Sequence, residues 1–107
     1  MDRLEQYREA IQKTLDRHLE IAEQNSDRSN GQTYTLRDAK TDSFFLLATE
    51  VRNYQRVYGV LLHLRLADDK IVVEANNVQD FIEDLIDLGI PEADFVLPDH
   101  EMAAIAF

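Results

Sequence analysis

The sequence predicts an α+β domain: an N-terminal helix, a four-stranded antiparallel meander, a second helix and a short C-terminal extended segment. Three observations predict it. Leu4, Tyr7, Ile11, Leu15, Leu19 and Ala22 recur at spacings of three and four, which builds one apolar stripe on a helix. The middle of the chain, from Thr33 to Ala75, instead repeats with period two and is joined by short turns, which forces neighbouring strands to run antiparallel. Near the end, Val78, Phe81, Ile82, Leu85 and Ile86 restore the helical period before Gly89 and Pro91 stop it.

The first helix is expected from about Asp2 to Gln24. Asp2 supplies an N-cap with Glu5 three residues on, a variant of the capping box. The polar run Asn25 to Gly31 ends it. Strands are expected over Thr33 to Asp38, Ser43 to Val51, Arg56 to Leu66 and Lys70 to Ala75. In the second, Phe44, Leu46 and Ala48 face one way and Phe45, Leu47 and Val51 the other, so both of its sides need cover or an interface. In the third, strict alternation puts Tyr58, Val60, Leu62, Leu64 and Leu66 on one face, with Val57, Gly59, Leu61, His63 and Arg65 on the other.

The mid-strand Gly59 marks either a bulge or a place where another chain comes close. Ala67-Asp68-Asp69-Lys70 reads as a tight hairpin turn, since Asp tolerates the left-handed conformation. Asn77 is the expected N-cap of the second helix, and Ile90 the apolar contact of a Schellman ending. Phe95-Val96-Leu97 reads as a short buried segment, and Asp99 to Phe107 as a tail that turns apolar at its end. Two helical stripes need a partner and one sheet face supplies it, so the simplest architecture has two layers. The other face then keeps Phe, Leu and Val exposed, a pattern that marks protein contact.

Composition narrows the function. The chain has 107 residues, the size of one domain spanning 1–107, and carries a formal net charge of -10. Such a surface repels phosphates, so direct nucleic-acid binding is not expected, nor is attachment to an anionic membrane. No cysteine is present, which excludes disulfides, thiolate metal sites and thiol nucleophiles. No apolar run reaches the roughly 20 residues of a membrane span, and the N-terminus lacks a signal peptide's apolar stretch, so a cytoplasmic location is expected.

The histidines His18, His63 and His100 have no spacing of the His-x-x-x-His kind, and a hydrogen-bonded structural role is expected for each rather than a metal. Asp38, Asp42, Glu50 and Glu74 would make a metal site only if the strand register brought them together. No residue stands out as a base or nucleophile, so neither a catalytic site nor a cofactor is expected. Arg52, Arg56 and Arg65 are the best basic cluster, too small for a DNA surface. The acidic face of the second helix (Asp80, Glu83, Asp84, Asp87) reads as solvated, or as a surface that fits a basic cleft on a nuclease.

Arg56-Val57-Tyr58-Gly59-Val60-Leu61-Leu62-His63-Leu64, Asp69-Lys70-Ile71 and Leu88-Gly89-Ile90-Pro91-Glu92-Ala93-Asp94-Phe95-Val96-Leu97 are distinctive in combination. They resemble the core strand, hairpin and closing segment of XisI-type fdxN element excision controlling factors, and Met1 to Tyr7 is similar to their usual start. The chain departs from that pattern at Asp68-Asp69, Val72-Val73-Glu74, Pro98-Asp99-His100 and the apolar tail. The resemblance implies an accessory factor in programmed excision of a DNA element. It is expected to be non-enzymatic, binding a XisH-type nuclease-like protein or a recombination complex, with a recombinase rather than this protein cutting DNA. Alternatives are an acidic inhibitor of a nuclease, and a small metal-dependent enzyme using His63. Phe45, Tyr58, Gly59 and His63 are the expected partner-binding residues, and the same apolar face would also serve self-association into a homo-oligomer.

Overall fold

A computed structural model describes residues 2–25 and 31–98. Helix α1 spans Arg3–Asn25, and four strands follow: β1 (Gly31–Asp38), β2 (Ser43–Arg52), β3 (Gln55–Ala67) and β4 (Lys70–Asn76). Helix α2 (Phe81–Asp87), a single 3₁₀ turn (Glu92–Asp94) and β5 (Phe95–Val96) complete the described chain. The sheet order is β1-β2-β3-β4-β5. The first four strands form the antiparallel meander that the alternation predicts, and the α+β class agrees with the sequence reading.

The extended segment is more than an appendage. Phe95 and Val96 pair in parallel with Ile71 and Val72, which makes a fifth strand. Parallel pairing needs a crossover connection, and α2 is that connection. Phe95 and Val96 are half-buried, whereas Leu97 is 80% exposed, contrary to the buried segment expected there. The expected tail from Asp99, including His100, lies outside the described residues.

Both helices lie on one face of the sheet. Tyr7, Ile11 and Leu15 of α1 and Phe81 and Leu85 of α2 form one buried cluster with Phe44, Leu46, Leu62, Leu64, Leu66 and Ile71. The N-cap of α1 is as expected, since Glu5 N–H donates to Asp2 Oδ1 at 2.8 Å. Helix α2 closes with the expected Schellman motif: Ile90 N–H donates to Leu85 O and Gly89 N–H to Ile86 O. Gly89 has φ +106, a conformation other residues rarely adopt.

The start of α2 differs from expectation. Asn77 does not cap it: the helix starts at Phe81 with Asp80, at φ 68, in the N-cap position, and the Asn77 N–H donates to Leu61 O at 2.7 Å, extending the sheet contact. Asn76 Oδ1 accepts from Val78 N–H, an Asx turn that delays the helix until Phe81.

Strand β3 holds the main correction. The β2–β3 register shifts between Leu46, which faces Leu62, and Leu47, which faces Val60. Leu61 is therefore an extra residue, and the bulge lies there rather than at Gly59. Leu61 packs beside Leu62 against the core. Beyond the bulge the strand changes face. Val57, Gly59 and Leu61 join the helix side, while Tyr58 and Val60 join His63 and Arg65 on the outer side.

Candidate partner-binding face

The outer face of β1, β2 and β3 displays a row of apolar side chains. Cross-strand pairing sets Tyr34 beside Leu47, Leu36 beside Phe45, Leu47 beside Val60, and Phe45 beside His63. Tyr34, Leu36, Tyr58 and Val60 are exposed, with Tyr58 at 64%. Neither helix contributes to this side, since the buried cluster lies on the other.

Three of the four sequence-predicted residues meet here. Phe45 stacks on the His63 ring with centroids 4.1 Å apart and planes at 23°. Tyr58 lies further along the same face of β3. Gly59 does not join them: it pairs with Ala48 on the helix side. The expectation that His63 shares a face with Gly59 fails because the bulge at Leu61 intervenes.

His63 Nε2 lies 3.1 Å from Ser43 Oγ, which is 2.9 Å from Thr41 Oγ1. The Thr41 hydroxyl donates its proton to Asp38 Oδ2 at 2.5 Å. Burial pushes the His63 pKa below the ordinary histidine value, with opposing contributions from Glu74 and Arg65. A neutral imidazole stacked on Phe45 gives this face an apolar patch with one polar edge.

The carboxylates do not converge. Asp42, at the β1–β2 turn, accepts from Arg8 Nε at 3.1 Å and Nη2 at 2.9 Å, and from Arg37 Nη2 at 2.5 Å. These hydrogen bonds hold its pKa below the usual carboxylate value, the Arg8 contact foremost. Glu74 pairs with Arg65 at 3.0 Å, and Glu50 pairs with Arg52. Among the described residues no group of three or more metal-ligating side chains gathers. The expected arginine cluster is also dispersed, since Arg65 lies towards the β3–β4 turn, away from Arg52 and Arg56.

His18 has the structural role expected of it. Its Nε2 sits 2.9 Å from Asp84 Oδ2, and its ring packs on Phe81 with centroids 5.0 Å apart. Two features escaped the sequence reading. Asp94, buried, accepts from the Tyr7 hydroxyl and from Lys70 Nζ at 2.9 Å, tying the 3₁₀ turn to α1 and β4. Residues 51–60, the β2–β3 arm, are exposed throughout. No helix among the described residues is long and apolar enough to cross a membrane.

A family model described as XisI protein matches residues 1–104. Among curated proteins, none matches the chain. Two crystal structures from Anabaena variabilis ATCC 29413 share the fold. One is the fdxN element excision controlling factor XisI, with TM-score 0.74 and 22% identity over 96% of this chain and 98% of that one. The other is a XisI-like protein, with TM-score 0.73 and 23% identity over 88% of this chain and 84% of that one.

Proposed function

The chain belongs to the XisI family, and from that premise we propose that it is a non-enzymatic accessory factor in excision of a DNA element, acting by binding another protein through its outer sheet face. The observation that carries this reading is the exposed row of Tyr34, Leu36, Tyr58 and Val60, continued by Phe45 stacked on His63. Exposed apolar and aromatic side chains grouped on one rigid face are the usual anchor of a protein interface. A controlling-factor role suits a chain whose carboxylates are held by arginines, as Asp42 and Glu74 are, rather than arranged for chemistry. The partner is a XisH-type nuclease-like protein, and the recombinase, not this chain, cuts DNA.

The test is co-purification with the XisH-type protein, sized by light scattering. A complex of defined stoichiometry that Tyr58→Glu weakens at least tenfold is expected. Tyr58 is exposed, so the substitution leaves the core intact. A complex indifferent to Tyr58→Glu but dissolved by salt would move the contact to the acidic face of α2 (Asp80, Glu83 and Asp87). Absence of any complex overturns the choice of partner.

A further inference from the structure

Strand β3 outruns its neighbour β4. The two pair only between Ala67 and Leu62 of β3. After Asn77, whose N–H reaches Leu61 O, the chain leaves the sheet for α2, with Val78 packed on the core. From Gln55 to Val60, β3 is therefore the edge of the sheet among the described residues, with β2 on its other side. Every residue of that stretch is exposed.

The hairpin fixes where the backbone groups of this edge point. Asn53 and Tyr54, at φ +52 and +65, make a two-residue turn closed by the pair Arg52 and Gln55. Such a turn leaves its flanking residues hydrogen-bonded to each other, and the antiparallel alternation repeats this at Val57 with Glu50 and at Gly59 with Ala48. The N–H and C=O groups of Arg56, Tyr58 and Val60 then point away from β2. Neither Lys nor Pro interrupts this edge, and an edge so open is a template for a further strand.

The chain's own continuation fits that template. β5 runs parallel to β4, so the chain leaves β5 heading towards the open edge from one strand further out. Val96 is level with Val72, and Val72 with Arg65. Ten residues lead from Arg65 to Gln55 and eleven from Val96 to Phe107, so an extended chain that sidesteps by one strand spacing, about 4.8 Å, runs the length of the edge. Met102 to Phe107 fall alongside Gln55 to Val60, and all six are apolar. An unbroken apolar run suits a strand with apolar neighbours on both sides, and β3 presents Tyr58 and Val60 on one side and Val57 on the other. Six residues are too few to hold a helix on their own.

We propose that residues 102–107 add to the sheet as a further strand, antiparallel to β3, on the edge formed by Arg56, Tyr58 and Val60. In that place the strand closes an edge that would otherwise pair with other chains. It lies in the plane of the sheet, so the outer side chains of Phe45, Tyr58 and His63 stay open and the contact stands apart from the proposed partner face.

Amide hydrogen exchange of the full chain, read residue by residue by NMR, tests it. The N–H groups of Arg56, Tyr58 and Val60 are expected to exchange about tenfold or more slowly than in a double variant, Ala103→Pro with Ala104→Pro. Two adjacent prolines remove donors on both sides of the strand, so pairing is lost whichever way its amides face. Leu62 and Leu64, which β3 pairs on both sides, are expected to exchange alike in the two proteins and so report an intact core. Wild-type edge amides that exchange as fast as an unstructured chain overturn the proposal. So do slow amides that the prolines leave slow. Protection that rises with protein concentration assigns the added strand to a second copy, and overturns it too.

Discussion

Phe44 and Phe45 are adjacent in the chain and face opposite sides of the sheet. Phe44 is buried among the helix-facing residues, with the Arg37 guanidinium 4.0 Å from its ring centroid. Phe45 is half-buried and rests on His63. Phe44→Ala is expected to destabilise by about 3–5 kcal/mol, as full-burial aromatic truncations do, while Phe45→Ala costs much less; urea unfolding measures both. His63 yields a second expectation at this scale. Its pKa is depressed on folding, so the unfolded chain binds the proton more readily. The histidine's contribution to stability is complete above about pH 6.5 and is lost as pH falls through the lower folded value. An NMR titration midpoint below 6.5 is expected, and one at or above it would contradict the burial assigned to the ring. Asp94 and Asp42 act in a lower window. Both are depressed, Asp94 by Tyr7 first and then Lys70, so their stabilisation is present above about pH 4 and disappears below it. Asp94→Asn is expected to lower Tm at pH 7 and to flatten the acid limb of the stability profile.

Elements show which features a sequence carries and which it does not. The α1 stripe, the Asp2 cap and the Schellman ending at Gly89 and Ile90 were legible because each depends on residues within one turn of one another. The face of β3 was not. Leu61 and Leu62 are both leucines, and apolar residues occupy both sides of the strand, so the period-two pattern contains no mark of the extra residue. That one-residue insertion moved Tyr58 onto the face of His63 and took Gly59 off it, which also revised the candidate site. Helix α2 began late because Asn76 and Asn77 are both competent turn formers, and it is Asn76 whose side chain accepts from Val78 N–H, three residues before the helix starts at Phe81. Strand β5 is two residues long and pairs in parallel, a contact set by where the α2 crossover returns the chain. The glycines make the local rules testable. Gly89→Ala is expected to destabilise by about 1 kcal/mol or more, because φ is +106, whereas Gly59→Ala should leave monomer stability nearly unchanged or raise it slightly. Chemical denaturation of the two variants beside wild type measures both effects.

For the molecule as a whole, charge placement governs what the surface accepts. The net charge is -10, but the sign of the sum matters less than where the cations are tied. Arg8 and Arg37 both engage Asp42, Arg65 engages Glu74, Lys70 engages Asp94 and Arg52 engages Glu50. Binding to a nucleic-acid backbone depends on releasing counterions with available Lys and Arg, and each of these cations would first have to leave a carboxylate. A family tied by name to DNA excision would suggest a DNA-binding face, whereas this distribution supports recruitment through protein contact. The expectation is therefore that labelled duplex DNA shows no anisotropy change with this chain at about 150 mM salt, even at concentrations near the upper end of non-specific affinity, roughly 100 μM. Under the proposed function, adding the XisH-type protein should produce binding that the chain alone does not. Binding by the chain alone, with a steep inverse dependence on salt, would mean that Arg52 and Arg56 on the arm act on phosphates, and would require the arm to be read as a nucleic-acid contact.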